Sequence, residues 1–287
     1  MAKKKMMISL IVLLAMVGLC LLGLRLYLNP KTISKEEDTV RLESSNITFK
    51  EFGAENFTCT GLTWDDNDKT FWIGDYGAMS NKDTPSPRVV EVNRDLSEIV
   101  KLVDLSEVLS SDDNLQGIAY DELTNSLWLA VGDVVKNISK DGVLIFEFDL
   151  GKYSKYKSNG ICVDETDDSL WVLCYTKYLL HYDKLGNLIK EYKFNYKDQD
   201  QIFLCDGVIF VTVGADYNGE ENYIVSMNRD SGKISVPYQI SEAYAAEGIC
   251  IVEGKMYIAN NGLYHDAKIK ESYISIFELY NSNYALE

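Results

Sequence analysis

One phrase, written five times along the chain, governs what it can fold into. The copies read Thr60-Gly-Leu-Thr-Trp-Asp65, Gln116-Gly-Ile-Ala-Tyr-Asp121, Asn159-Gly-Ile-Cys-Val-Asp164, a degenerate Asp200-Gln-Ile-Phe-Leu-Cys205, and Glu247-Gly-Ile-Cys-Ile-Val252. Each runs through a short polar turn into a second apolar stretch: Phe71-Trp-Ile73, Leu127-Trp-Leu129, Leu170-Trp-Val172, Ile209-Phe-Val211 and Met256-Tyr-Ile258. A strand pair that recurs at a nearly fixed period cannot bury both faces alone, so the units must pack on one another in an array.

Two more strands follow each pair, joined by bends such as Asn93-Arg-Asp-Leu-Ser97 and Lys184-Leu-Gly-Asn187, where Asp, Asn and Gly supply tight-turn angles. Four antiparallel strands per unit define a propeller blade. The last unit, ending in Tyr273-Ile-Ser-Ile-Phe-Glu-Leu279, is one strand short, and Asn46-Ile-Thr-Phe-Lys-Glu-Phe52 is a spare strand upstream of the first. Pairing the two closes the ring and removes an exposed edge. The expected fold is an all-β, five-bladed β-propeller over residues 45–287, with a six-bladed ring as the alternative.

The phrases at Thr60 to Asp75 and Gln116 to Ala130 resemble repeats of the SdiA-regulated (YjiK-like) propeller family. That resemblance implies a bacterial, envelope-associated protein. More distantly, Glu247-Gly248 at the start of a blade is similar to the metal-ligand glutamate of gluconolactonase-like propellers.

Lys3, Lys4 and Lys5 precede an uncharged run from Met6 to Leu24, about the length that crosses a bilayer as a helix. Residues 1–28 are therefore expected to be a single-pass signal-anchor with the basic end in the cytoplasm and the propeller outside. The polar, aperiodic residues 29–44 read as a linker. Beyond residue 30 the chain carries 24 basic against 44 acidic side chains, a surface that repels phosphate backbones and argues against nucleic-acid partners. The expected partner is a small molecule or an envelope component. Five cysteines outside the apolar segment cannot all pair within one chain, and four fall in apolar strand runs, so they read as buried hydrophobes.

The residues opening the inner strands, Thr60, Gln116, Asn159, Asp200 and Glu247, all carry oxygen and are expected to ring the axis, with Asp75, Asn260 and Asn261 ending second strands on the same face. Two readings stay open. In one, Gln116, Asn159, Asp200 and Glu247 hold calcium, which takes six to eight oxygens; in the other they bind loops and water. A wall of loops carrying Tyr76, Met79, Tyr217, Tyr264 and His265 is expected beside this ring, with His265 and Asp266 as candidate catalytic base and orienting acid. His181 and the tryptophans Trp72, Trp128 and Trp171 read as structural. A ligand-binding domain is the leading expectation, and a calcium-dependent hydrolase of a lactone or phosphoester is the alternative.

Overall fold

The computed structural model describes residues 40–42, 44–54, 57–76, 87–110, 113–175, 177–213, 222–235 and 238–279. The apolar segment 1–28, Met79, Tyr217 and most of the first two wall loops lie outside the described residues. No helix among the described residues is long and apolar enough to cross a membrane.

Strands β1 (Val40–Leu42) and β2 (Ser45–Thr48) precede the first blade. Blade 1 is β3 (Cys59–Asp65), β4 (Thr70–Asp75), β5 (Arg88–Asn93) and β6 (Ile99–Asp104). Blade 2 is β7 (Leu115–Asp121), β8 (Ser126–Val131), β9 (Val134–Ser139) and β10 (Leu144–Asp149). Blade 3 is β11 (Ser158–Asp164), β12 (Ser169–Cys174), β13 (Tyr178–Asp183) and β14 (Leu188–Lys193). Blade 4 is β15 (Gln199–Cys205), β16 (Val208–Val213), β17 (Tyr223–Asn228) and β18 (Tyr238–Ile240). Blade 5 is β19 (Ala246–Val252), β20 (Lys255–Asn261) and β21 (Ser272–Glu278), completed by β2 from the N-terminal side. The fold is thus a five-bladed β-propeller closed by strands from both ends of the chain, Ser45 pairing with Ile276 and Thr48 with Tyr273.

Two local departures concern the N-terminal side. The spare strand is shorter than its sequence suggests, because Phe49–Phe52 turns into a 3-10 helix. Thr48 and Glu51 form a capping box there, left-handed Gly53 ends the turn, and Phe49 and Phe52 are buried against blades 1 and 5. The end of the segment read as a linker is not free either: β1 adds to blade 4 as a fifth strand, parallel to β18.

The repeated glycine of the phrase has one physical cause. A Cβ at Gly61 would stand 2.6 Å from the Ile118 nitrogen, and one at Gly248 would stand 2.6 Å from the Leu62 nitrogen. At these positions the inner strands of adjacent blades approach so closely that only glycine fits. The core lies between blades, as with Trp72, Leu115, Ile118 and Leu127 at the seam of blades 1 and 2. The five described cysteines are free thiols, four buried and Cys205 partly exposed.

Candidate functional site

Every inner strand carries a β-bulge near its start: the register slips between Cys59 and Leu62, Leu115 and Gly117, Ser158 and Gly160, Gln199 and Ile202, and Ala246 and Ile249. Thr60, Gln116, Asn159, Asp200 and Glu247 all sit in these bulges. An extra residue on one strand bends it and re-aims a side chain, a device common beside functional sites. Here it is used five times at one end of the axis.

Three of the five converge. Asn159 Nδ2 donates to Asp200 Oδ1 at 3.4 Å, and the carboxyls of Asp200 and Glu247 are hydrogen-bonded to each other. Two carboxyls can share a hydrogen bond only when one is protonated. Burial is the first cause that drives the Asp200 carboxyl well above the ordinary carboxylate range, and the charge of Glu247 adds to it. Burial likewise pushes Glu247 up to about 7, against hydrogen bonds from Asp200 and Asn261. His265 Nε2 lies 3.5 Å from Glu247 Oε1, and burial holds its imidazole below the usual histidine value despite the opposing charge of Asp200. Both carboxyls therefore hold a proton more readily than ordinary ones, beside an imidazole that holds its own less readily.

The remaining expected residues fall elsewhere. Thr60 is buried, and its hydroxyl has no hydrogen-bond partner among the described residues. The side-chain amide of Gln116 turns to Asn114 Oδ1 at 2.9 Å. Asp75 is fully buried and engaged by Arg88, whose Nε donates at 2.8 Å, and by the Thr58 amide at 3.0 Å. Asn260 Nδ2 bonds Ile258 O and Ser275 Oγ. Asp266 pairs with Lys270 at 2.7 Å on the surface, so the acid that His265 meets is Glu247. His181 stacks on Trp171, ring centroids 4.2 Å apart, and touches Ser169 Oγ at 2.6 Å, away from the axis. Of the wall, Tyr76 from blade 1 and Tyr264 from blade 5 meet with centroids 5.7 Å apart, and Tyr264 stands edge-on to His265. The two blades are thereby joined beside the carboxyl pair.

Gln201 is the residue that sequence reasoning passed over. It occupies the glycine position of the degenerate fourth phrase, and its side chain reaches across the ring from blade 4 to donate to Gln116 O of blade 2 at 2.5 Å and Asn159 O of blade 3 at 2.7 Å. It forms a polar floor across the ring, one residue along β15 from Asp200. The signal was present, since a long amide replaces a glycine that the other four phrases keep.

The donor set of Asn159, Asp200 and Glu247 has the chemistry that calcium takes, all hard oxygen; Gln116, expected as a fourth ligand, is turned away to Asn114. Among the described residues, one group of three acids lies close enough together to hold a metal: Asp65, Asp68 and Glu91. The Lys140 ammonium already sits against Asp65 and Asp68.

No protein-family model matches the sequence, and no curated protein matches it. Solved structures do. The glutaminyl cyclase of Myxococcus xanthus superposes with a TM-score of 0.59 at 11% identity, covering 84% of this chain and 99% of that one. A chain of a nidogen/laminin complex gives a TM-score of 0.49 at 13% identity over 71% and 73% of the two chains. The Pan2 WD40 domain of Neurospora crassa gives 0.45 at 11% identity over 80% and 64%. At such identities the likeness is one of fold, and with the closed ring of five sheets, four of four strands and one of five, it places the chain in the β-propeller class.

Proposed function

We propose that this chain is an extracytoplasmic propeller, tethered to the cell membrane by a helix over residues 1–28, that captures a small polar ligand at the bulged end of its axis. The observation that carries this reading is the carboxyl pair of half-buried Asp200 and buried Glu247, held against each other at the bulged end of the axis. Acids whose protonation is strongly shifted by their surroundings are candidates for functional sites. Two acids held together offer both a donor and several acceptors and repel anions, so the ligand is neutral or cationic and carries both hydrogen-bonding senses. Tyr76 and Tyr264 supply an apolar flank. The outward location is supported by the basic residues before the apolar run and by the resemblance of the repeats to the SdiA-regulated (YjiK-like) family.

A fluorine-NMR screen of neutral and cationic polar fragments against the full-length chain tests this. Binding fragments should be lost in Glu247→Gln and Asp200→Asn. A screen whose hits all survive both changes would remove the axis from the reading.

The 3.5 Å approach of His265 to Glu247 favours a second reading, in which the site moves protons on what it captures. A carboxyl pair with one proton can take a proton from one atom and return it to another. The Myxococcus xanthus neighbour is a glutaminyl cyclase by name, and closing an N-terminal glutaminyl residue needs such a transfer. The α-amine attacks the side-chain carbonyl, a C–N bond forms, the amine proton passes to the leaving nitrogen, and ammonia departs. Ammonia release from a Gln-Ala-amide peptide, abolished by Glu247→Gln, would support this reading, and no release would end it. The hydrolase alternative places calcium among Asn159, Asp200 and Glu247, where it would polarise a lactone or phosphoester. It requires calcium at about millimolar concentration to raise the melting temperature, with Glu247→Gln cancelling the rise; an unshifted melt rejects it.

A further inference from the structure

The inner strands end at a second opening, on the face opposite the bulges. Along β15 the chain passes from the carboxyl pair at Asp200, through the floor at Gln201, to Phe203 in this lower throat. A cavity of about 410 Å³ opens there and is lined by residues of all five inner strands. Its apolar walls are Trp64, Ile118, Ile161, Cys162, Phe203 and Ile251. Its rim carries Asp66, Glu122, Glu165 and Asp206 against a single cation, Arg229. That guanidinium is engaged by Asp164 at 3.0 Å and by Asp230 at 2.9 Å. A neighbouring cleft of about 420 Å³ shares Glu122 and Glu165 and adds Leu123, Asp121, Asp168 and Lys184.

Asp66 is occupied by Lys69 at 2.8 Å and by the Trp64 indole at 3.1 Å. Glu122 and Glu165 are different: neither has a hydrogen-bond or ion-pair partner among the described residues. Burial, followed by the charges of Glu122, Asp121 and Asp66, raises the Glu165 carboxyl above its ordinary value, against the opposing charge of Lys184. The Lys184 ammonium is itself held by Asp121 and Asp168, so a further positive group between the two glutamates would relieve the remaining repulsion. Beside them lies an aromatic and aliphatic throat, which a bare metal ion does not use and an anion cannot approach past the acids. A neutral apolar molecule would fill the throat and leave the glutamates uncompensated.

We propose that this opening binds an organic cation, its ammonium between Glu122 and Glu165 and its apolar body in the throat formed by Trp64, Ile118, Ile161, Phe203 and Ile251. The site is separate from the carboxyl pair at the other end of the axis and does not depend on what that pair does.

Calorimetric titration of the full-length chain with benzyltrimethylammonium, against benzyl alcohol as its uncharged counterpart, tests the proposal. The cation should bind at least about tenfold more tightly than the alcohol, and the double change Glu122→Gln with Glu165→Gln should remove that preference. Both substitutions are at exposed positions, and an unchanged melting temperature would show that the variant folds. Glu247→Gln should leave the affinity as it was. Equal binding of cation and alcohol would overturn the site, and so would full affinity in the double variant. Loss of binding in Glu247→Gln alone would move the cation to the other end of the axis.

Discussion

The indole Nε1 of Trp128 donates to Asp121 Oδ2 at 3.0 Å, within one blade, and the same carboxylate receives Lys184 of the next blade at 2.6 Å. The arrangement recurs with Trp72, Asp65 and Lys140 between blades 1 and 2, and with Trp171, Asp164 and Arg229 between blades 3 and 4. In each case the aspartate ends an inner strand, the tryptophan comes from the second strand, and the cation sits on the third-to-fourth hairpin of the following blade. Arg94 of blade 1 meets Glu253 of blade 5 in a more exposed version. These contacts latch successive blades around the ring.

Asp121→Ala should therefore weaken more than one blade. It leaves the buried Trp128 indole without its acceptor and the largely buried Lys184 ammonium with Asp168 alone, a loss of about 2 kcal/mol. Burial raises the Asp121 carboxyl, but hydrogen bonds from Lys184 and Trp128 outweigh it and hold the group below its usual value. A depressed carboxyl gives stability that is present above its unfolded value and lost as pH falls through the folded one. Chemical denaturation at pH 7 and about pH 3 should show the variant's deficit shrinking in acid.

The Asp200 and Glu247 pair acts with the opposite sign. Both carboxyls are raised, Glu247 to about 7. Their contribution is thus fully present below the unfolded carboxyl range, near pH 4, and is lost as pH climbs through the folded values. Without a bound cation, the melting temperature should fall between about pH 4.5 and pH 7, and Glu247→Gln should flatten that decline. A slope unchanged in the variant would mean that the pair is not the source.

How far these features could be read from sequence depends on whether the repeat repeats them. The hairpin register was legible: Cys162 opposes Trp171 and Val163 opposes Leu170, as the phrase spacing implies. The recurrence of one oxygen-bearing residue at the start of each phrase was legible too, but not that each would sit in a bulge inside the strand. The orientation of those side chains was not. Asp75 lies on the expected face, yet Arg88, thirteen residues away across a loop, draws it into a buried ion pair. The cation of each latch was hidden for a similar reason, since Lys140, Lys184 and Arg229 sit in ordinary polar hairpins and meet their aspartates only after the ring closes.

Gln201 offers a way to separate floor from pair. Truncation by Gln201→Ala removes the donor to Gln116 O and Asn159 O, costing about 1–3 kcal/mol for the carbonyls left bare. Water reaching that space would hydrate the carboxyls above it. Desolvation is the first cause of both raised values, so the pH-dependent decline in melting temperature should shift to lower pH in this variant. A stability loss with the pH profile unmoved would assign Gln201 a packing role alone.

The seam between blades 4 and 5 is where the N-terminal strands matter most. Blade 5 is closed by β2, which arrives from the other end of the chain, so no hairpin joins β21 to its outer strand and none carries a cation back to blade 4. Among the described residues no ion pair reaches the end of β15 from blade 5. Instead β1 lies on the outer edge of blade 4 and β2, three residues on, on that of blade 5. The pair of strands spans the seam that lacks a latch. A chain beginning at Ser45 should keep the closed ring but lose about 1–2 kcal/mol, the backbone bonds of a three-residue pairing. A chain beginning at Gly53 should lose the outer strand of blade 5 together with Phe49 and Phe52, and no longer unfold in one cooperative step. Hydrogen exchange read along β17 and β21 would distinguish the outcomes, and equal protection of both strands in all three chains would show that closure does not depend on the N-terminal strands.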